Sequence, residues 1–295
     1  MHKFIQTNKN GHIFVTDYNW PIEETLKGKA IIVNINHLDD IVNISNHIDD
    51  TTKIVAFVYA NEHASLETID INPSWGNTPI ILYLNRLGKF RDVCHKINLL
   101  KTLNIIVIFT GNEKESTKDA QILSSLGIHT GIRIDSTSEL SEHVLDLITY
   151  NFYGNCPHAE IEPFSTISRY YDGGNYVSPS FANLENPERY IYIDKDKNIA
   201  FTKRELKNSK DKCHKLDDLK CESLYSIVEN ETLKWQKFFI DSHKCTFCPA
   251  FRICLGYFEE QSEKNHCREI MNELLDAIEF QKKNRNRNIK ESCQL

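Results

Sequence analysis

The chain has 295 residues, 40% hydrophobic and 26% charged, with a formal net charge of −6. That length can bury a real core in one large domain, or in a medium and a small one, and the acidic balance argues against a surface built for nucleic-acid phosphates. No apolar run approaches the roughly 18 residues of a membrane helix, and nine cysteines with no secretory leader after Met1-His2-Lys3 point to a reducing, cytoplasmic setting.

Residues 1–28 read as an N-terminal segment with a short strand at 12–16, ahead of Pro21. Apolar, β-rich runs then recur at 29–35, 54–60, 79–84, 104–111 and 130–135, with AEIEPF at 159–164 as a sixth candidate. Helix-length stretches separate them, which predicts a mostly parallel sheet covered on its faces. Three stripes at helical spacing support those helices: Leu38, Ile41, Val42, Ser45 and Ile48; Leu87, Phe90, Cys94 and Ile97; Leu140, Val144, Leu147 and Ile148. Cys94 is expected to be a core residue by its place on the second stripe.

Further along, Cys156-Pro157-His158 precedes the sixth candidate strand; a lone Cys-x-His without a second base or a metal partner reads as structural. Asp172-Gly173-Gly174-Asn175 follows no clear strand and opens no helix, so it reads as a turn between two domains and not as a phosphate cradle. Cys213, His214 and Cys221 lie in a Lys/Asp-rich connection, where exposed thiols are expected.

The densest chemistry is in 244–267, KCTFCPAFRICLGYFEEQSEKNHC, which carries Cys245, Cys248, Cys254 and Cys267. Two cysteines three positions apart can turn onto one metal, and the third and fourth complete a four-sulfur set suited to an iron–sulfur cluster or to tetrahedral zinc. Packing gives no reason for thiols to recur at such spacing. Cys267 is expected to open a helix over 268–280, docked by Ile270, Met271, Leu274 and Ile278. The remainder, 281–295, reads as a flexible basic tail that includes Cys293.

The run Cys245-x2-Cys248-x5-Cys254-x-Gly256 resembles the C-terminal SPASM domain of radical SAM peptide-maturing enzymes. In that family one auxiliary cluster is held by such a set plus a distant cysteine, here Cys267. The other uses an upstream pair and a cysteine four residues past the third. Those ligands are missing together: Phe258 stands at the late position, and YIYIDKDKNIAFT at 190–202 has Lys197 and Thr202 where the family has glycine and cysteine. The resemblance implies a single [4Fe–4S] cluster, with zinc as the alternative.

It also implies an α/β fold with a partial (β/α)6 TIM-like barrel over 29–170 and a small cysteine-rich, SPASM-like metal-binding domain over 171–280. Yet the Cys-x3-Cys-x2-Cys triplet of radical SAM enzymes occurs nowhere, and Tyr59-Ala60-Asn61-Glu62 replaces the Gly-Gly-Glu-like turn. Without three close thiolates no site-differentiated cluster forms, so SAM-dependent radical chemistry is not expected. The chain is similar to degenerate "pseudo" members of grasp-with-spasm and related systems. Its implied partners are a precursor peptide and a modifying enzyme such as an ATP-grasp ligase or a radical SAM enzyme. The competing reading is an enzyme of unknown reaction that uses the barrel mouth, with Cys156, Arg133 and Asp135 as its candidate residues.

Overall fold

The computed structural model describes residues 11–18, 26–136, 140–208, 214–216, 221–259 and 267–292. Its frame is one sheet of ten strands: β1 (Ile13–Asp17), β2 (Ala30–Ile35), β3 (Lys53–Ser65), β4 (Ile80–Arg86), β5 (Ile105–Phe109), β6 (Thr130–Ile132), β7 (Ile161–Glu162), β8 (Tyr190–Ile193), β9 (Asn198–Ala200) and β10 (His214–Lys215). The order is β10-β9-β8-β1-β2-β3-β4-β5-β6-β7. Strands β8 and β1 to β7 are mutually parallel; β9 and β10 join antiparallel at the β8 side.

The helices between strands are α1 (Asp40–His47), α2 (Phe90–Cys94), α3 (Ile97–Thr102), α4 (Glu113–Ser125) and α5 (Glu142–Tyr153). After β7 come α6 (Phe164–Tyr170), α7 (Lys203–Asn208), α8 (Cys221–Thr232), α9 (Gln236–Ile240), α10 (Phe251–Cys254) and α11 (Cys267–Ser292). Because β1 to β7 stand in chain order, each connection steps the same way across the sheet, and the helices gather on one face. Ile41, Val93, Leu100, Leu123, Leu147 and Ile167 join alternate strand residues such as Val33, Leu82 and Val107 in one large core. The opposite face forms a separate, smaller core of Val15, Ile32, Val58, Tyr83, Ile108 and Tyr192, capped by Leu184 and touched by Leu206 of α7. Two buried faces explain why β5, IIVIF, is buried at every position.

The short strand expected in the N-terminal segment is β1, and it sits inside the sheet, paired to β2 on one side and β8 on the other. Strands β8 to β10 come from the segment expected to be the cysteine-rich domain, so the sheet runs across both expected boundaries. The sixth strand shrinks to the two residues of β7.

The second stripe is corrected. Val93, not Cys94, is buried; Cys94 and Phe90 are exposed. The reason is a break in the helix after Cys94, where Lys96 turns inward. It is only 6% exposed, and its ammonium donates to the carbonyls of Leu66 (3.0 Å), Glu67 (2.5 Å) and Ile69 (2.8 Å). Ser45 is likewise exposed, with Ile44 taking the buried place on α1. The basic stretch Lys282–Arg287 is helical, since α11 continues to Ser292. Cys213 and Cys293 lie outside the described residues, as does the side chain of Cys221. No helix among the described residues is long and apolar enough to cross a membrane.

Candidate metal centre

The four cysteines arrive on three pieces of backbone. Cys245 sits in a single 3-10 turn, Lys244–Phe247, whose entry is capped by His243: Nδ1 accepts from the Cys245 amide at 3.3 Å. Cys248 follows the turn, and Cys254 ends α10. The chain then reverses through two left-handed residues, Leu255 (φ 51°) and Gly256 (φ 75°). Gly256 is needed twice: for that φ, and because a Cβ there would stand 2.4 Å from the Phe238 ring. Cys267 opens α11, as its place ahead of the apolar stripe predicts; Ile270, Met271, Leu274 and Ile278 are all buried.

All four sulfur-bearing residues line one cavity of about 250 Å³, closed below by Phe251, Phe258 and Met271. None forms a disulfide. Burial pushes the Cys254 thiol up to about 12, and it also raises Cys245 and Cys267, with neighbouring cysteine sulfurs adding to both. As free thiols these groups are neutral; only a bound cation would make the buried thiolates favourable. Asn272 of α11 ties the loop to the helix, accepting from the Ala250 amide at 3.1 Å. A ring cluster of Trp235, Phe238, Phe239 and Phe251 backs the loop, and Phe247 stands 77% exposed at its rim.

The hairpin turn at β8 and β9 is also informative. Lys197 takes φ 59° there, a conformation that glycine adopts without cost. Phe258, where a further ligand would be needed for a second centre, is packed at 2% exposure.

The barrel-mouth candidates separate. Cys156 precedes β7 and is exposed; His158 is engaged by the carbonyls of Asn151 (3.1 Å) and Ala159 (2.9 Å). Arg133 and Asp135 follow β6, at the opposite end of the parallel strands, and pair with each other at 2.8 Å. Cys156 therefore shares no site with them. Sequence reading missed what does join them: Glu185, from the segment that caps the smaller core. Burial first, then the charge of Asp135, pushes its carboxyl up to about 7, against the pull of Arg133. Tyr257, three residues past Cys254, hydrogen-bonds Glu185 at 3.5 Å and accepts from Asn183 at 2.8 Å. Nothing in the local pattern around Glu185 signals a pairing with residues some 50 positions upstream. A second missed group is His129, 3.2 Å from buried Glu162 and 3.7 Å from Glu160, which also pairs with Arg169. Burial opposes ionisation of Glu162, but the hydrogen bond and charge of His129 hold its carboxyl below the usual range.

Glu185 gives a pH test. Folded protein keeps a proton on this carboxyl up to about pH 7, whereas the unfolded chain releases it near the ordinary value of about 4.3. The raised folded value contributes stability that is fully present below the unfolded pKa and lost as pH rises through the folded one. Glu185→Gln is thus expected to be relatively more stable than wild type at pH 8 than at pH 4.5, by roughly 2 kcal/mol after discounting for partial exposure. Urea midpoints of both proteins across that range check it; a gap that stays constant with pH would contradict it.

No protein-family model, curated protein or solved structure matches the chain.

Proposed function

We propose that this chain is a SPASM-type member of a ribosomal peptide maturation system. In this reading its four cysteines hold one [4Fe–4S] cluster, and the sequentially wound sheet is a retained partial (β/α)6 barrel. The protein serves as a scaffold for a precursor peptide or as the partner of a modifying enzyme, such as an ATP-grasp ligase or a radical SAM enzyme. The observation that carries the reading is the convergence of Cys245, Cys248, Cys254 and Cys267 on one cavity of about 250 Å³.

The size of that cavity favours a cluster over the alternative, a structural zinc. Four sulfurs bound to zinc at about 2.3 Å stand roughly 3.8 Å apart. Among the described residues the metal-binding side chains that come within 4.8 Å of one another are His129, Glu160 and Glu162, and no three of Cys245, Cys248, Cys254 and Cys267 draw that close. A cluster with four protein thiolates has no open coordination position, and it supplies electron transfer or structural support. The chain's own residues do the rest: Asn272 and the Phe238–Phe251 ring pair hold the loop in shape, and Tyr257 with Asn183 links it to the sheet end.

Radical SAM chemistry is absent from this reading because no three further thiolates come together after β1 or β2. Anaerobic reconstitution followed by reduction in the presence of SAM is expected to give no 5′-deoxyadenosine above a protein-free control; any excess overturns that part of the proposal. The scaffold role is tested by whether a short peptide encoded beside this gene binds the purified protein. The second reading, an enzyme, draws on one observation, the grouping of Glu185, Arg133, Asp135 and Tyr257 where the parallel strands end.

A further inference from the structure

Around β8 and β1 the sheet is approached by helices on both of its faces. Ile41 and Ile44 of α1, after β2, pack on the large core, whereas Leu206 of α7, after β9, packs on the small one. The chain's path diverges at the same place, since β1 leads to β2 on one side and β8 to β9 on the other. Parallel sheets open a crevice beyond their strand ends where the chain's path diverges, and such crevices bind small ligands. Here the crevice is a cavity of about 260 Å³ at the C-terminal ends of β1, β2 and β8. It is separate from the cysteine cavity and shares no residue with it.

The chemistry of its wall is mixed. Val15, Tyr192 and Leu206 give an apolar floor. Three ammonium groups, Lys195, Lys203 and Lys207, and three carboxylates, Asp17, Asp194 and Asp196, surround it. Their formal charges balance, but they are engaged unequally. Asp194 is consumed by its own turn, accepting from the amides of Asp196 and Asn198 (both 2.9 Å) and from the Asn198 side chain at 2.8 Å. Lys203 lies 4.0 Å from Asp17 Oδ1, which also accepts from Asn34 at 3.0 Å. Lys195 and Lys207 have no ion pair among the described residues, and Asp17 lines the crevice with a side chain that is 70% exposed. Two free ammoniums suit a dianion, and a carboxylate beside an amide suits hydroxyl groups.

We propose that this crevice binds a small phosphorylated, hydroxyl-bearing ligand of the nucleoside monophosphate class. Lys195 and Lys207 take the phosphate, Asp17 and Asn34 the hydroxyls, and the floor of Tyr192 and Leu206 the apolar body. The assignment does not depend on the cysteine site.

Isothermal titration of the full chain with AMP, ribose 5-phosphate, adenosine and inorganic phosphate tests it. AMP or ribose 5-phosphate is expected to bind in the submillimolar range, at least about tenfold more tightly than inorganic phosphate or adenosine. Lys195→Ala/Lys207→Ala and, separately, Asp17→Asn are each expected to weaken it by about tenfold, and Lys118→Ala on α4 to leave it unchanged. All the substituted side chains are exposed, and circular dichroism establishes that the variants fold. Inorganic phosphate binding as well as AMP would mean an adventitious ion only and would overturn the proposal. So would no binding of either organic phosphate at millimolar concentration, or binding indifferent to both crevice variants.

Discussion

Alanine in place of any one of Cys245, Cys248, Cys254 or Cys267 is expected to strip iron and acid-labile sulfide from protein purified without oxygen, and to cost several kcal/mol of stability in the part of the fold built on α10 and α11. The cost arises because binding and local folding are coupled in such centres, and a site reduced to three thiolates holds its group poorly. The cavity they line would also be left with partly buried sulfurs and no cation. The control is Cys94→Ala. Because Cys94 is exposed at the end of α2, its removal should change neither metal content nor stability by a measurable amount. Iron and sulfide that persist in the four variants, or a wild type without metal, would defeat the proposal. One zinc per chain, lost in the same four variants, would establish the zinc alternative.

The next largest effect is expected at Lys96, far from the cysteines. Its three hydrogen bonds satisfy carbonyls that turn inward at 66, 67 and 69, where β3 has just ended. Desolvation lowers its pKa, with nearby Asp70, Asp92 and Glu67 pulling the other way. Lys96→Met keeps the stem and removes the donor, leaving the Glu67 and Ile69 carbonyls without this partner, while the Leu66 carbonyl keeps the Ile69 amide at 3.3 Å. Each buried group left unpaired costs about 1–3 kcal/mol, so a loss of roughly 2 kcal/mol or more is expected. Denaturant unfolding of this variant beside Lys101→Met, an exposed lysine on α3, provides the comparison. Equal midpoints for the two would show that the three bonds carry no stability.

Lys96 also marks where the amino-acid pattern stops being a guide. The parallel strands were legible because β2, β4 and β5 are buried on both faces and read as unbroken apolar runs. The helix 142–153 was legible for the same kind of reason, its stripe being long and regular. The stripe through Leu87, Phe90 and Cys94 failed because the helix breaks after Cys94, where Lys96 turns inward to donate to the carbonyls of residues 66, 67 and 69. The four cysteines could be singled out by spacing alone, and their common cavity is a property that spacing can suggest. The Glu185 group and the crevice beside Asp17 could not be found this way. Each assembles residues from strand ends far apart in the chain, and neither leaves a local periodicity or a fixed spacing.

The position of β1 bears on how the protein is made. Ile13 must find Tyr190, and until the ribosome has released that second strand one side of β1 has no permanent neighbour. At about 5–20 residues per second, that interval is on the order of ten seconds or more. During it the nascent sheet presents an open, apolar edge, the kind of surface that recruits other strands and invites aggregation. Pairings between strands so distant in sequence also fold slowly. The growing chain is therefore a natural client for chaperones until its last third arrives, and its yield should depend more on translation speed and temperature than the stability of the finished molecule would suggest.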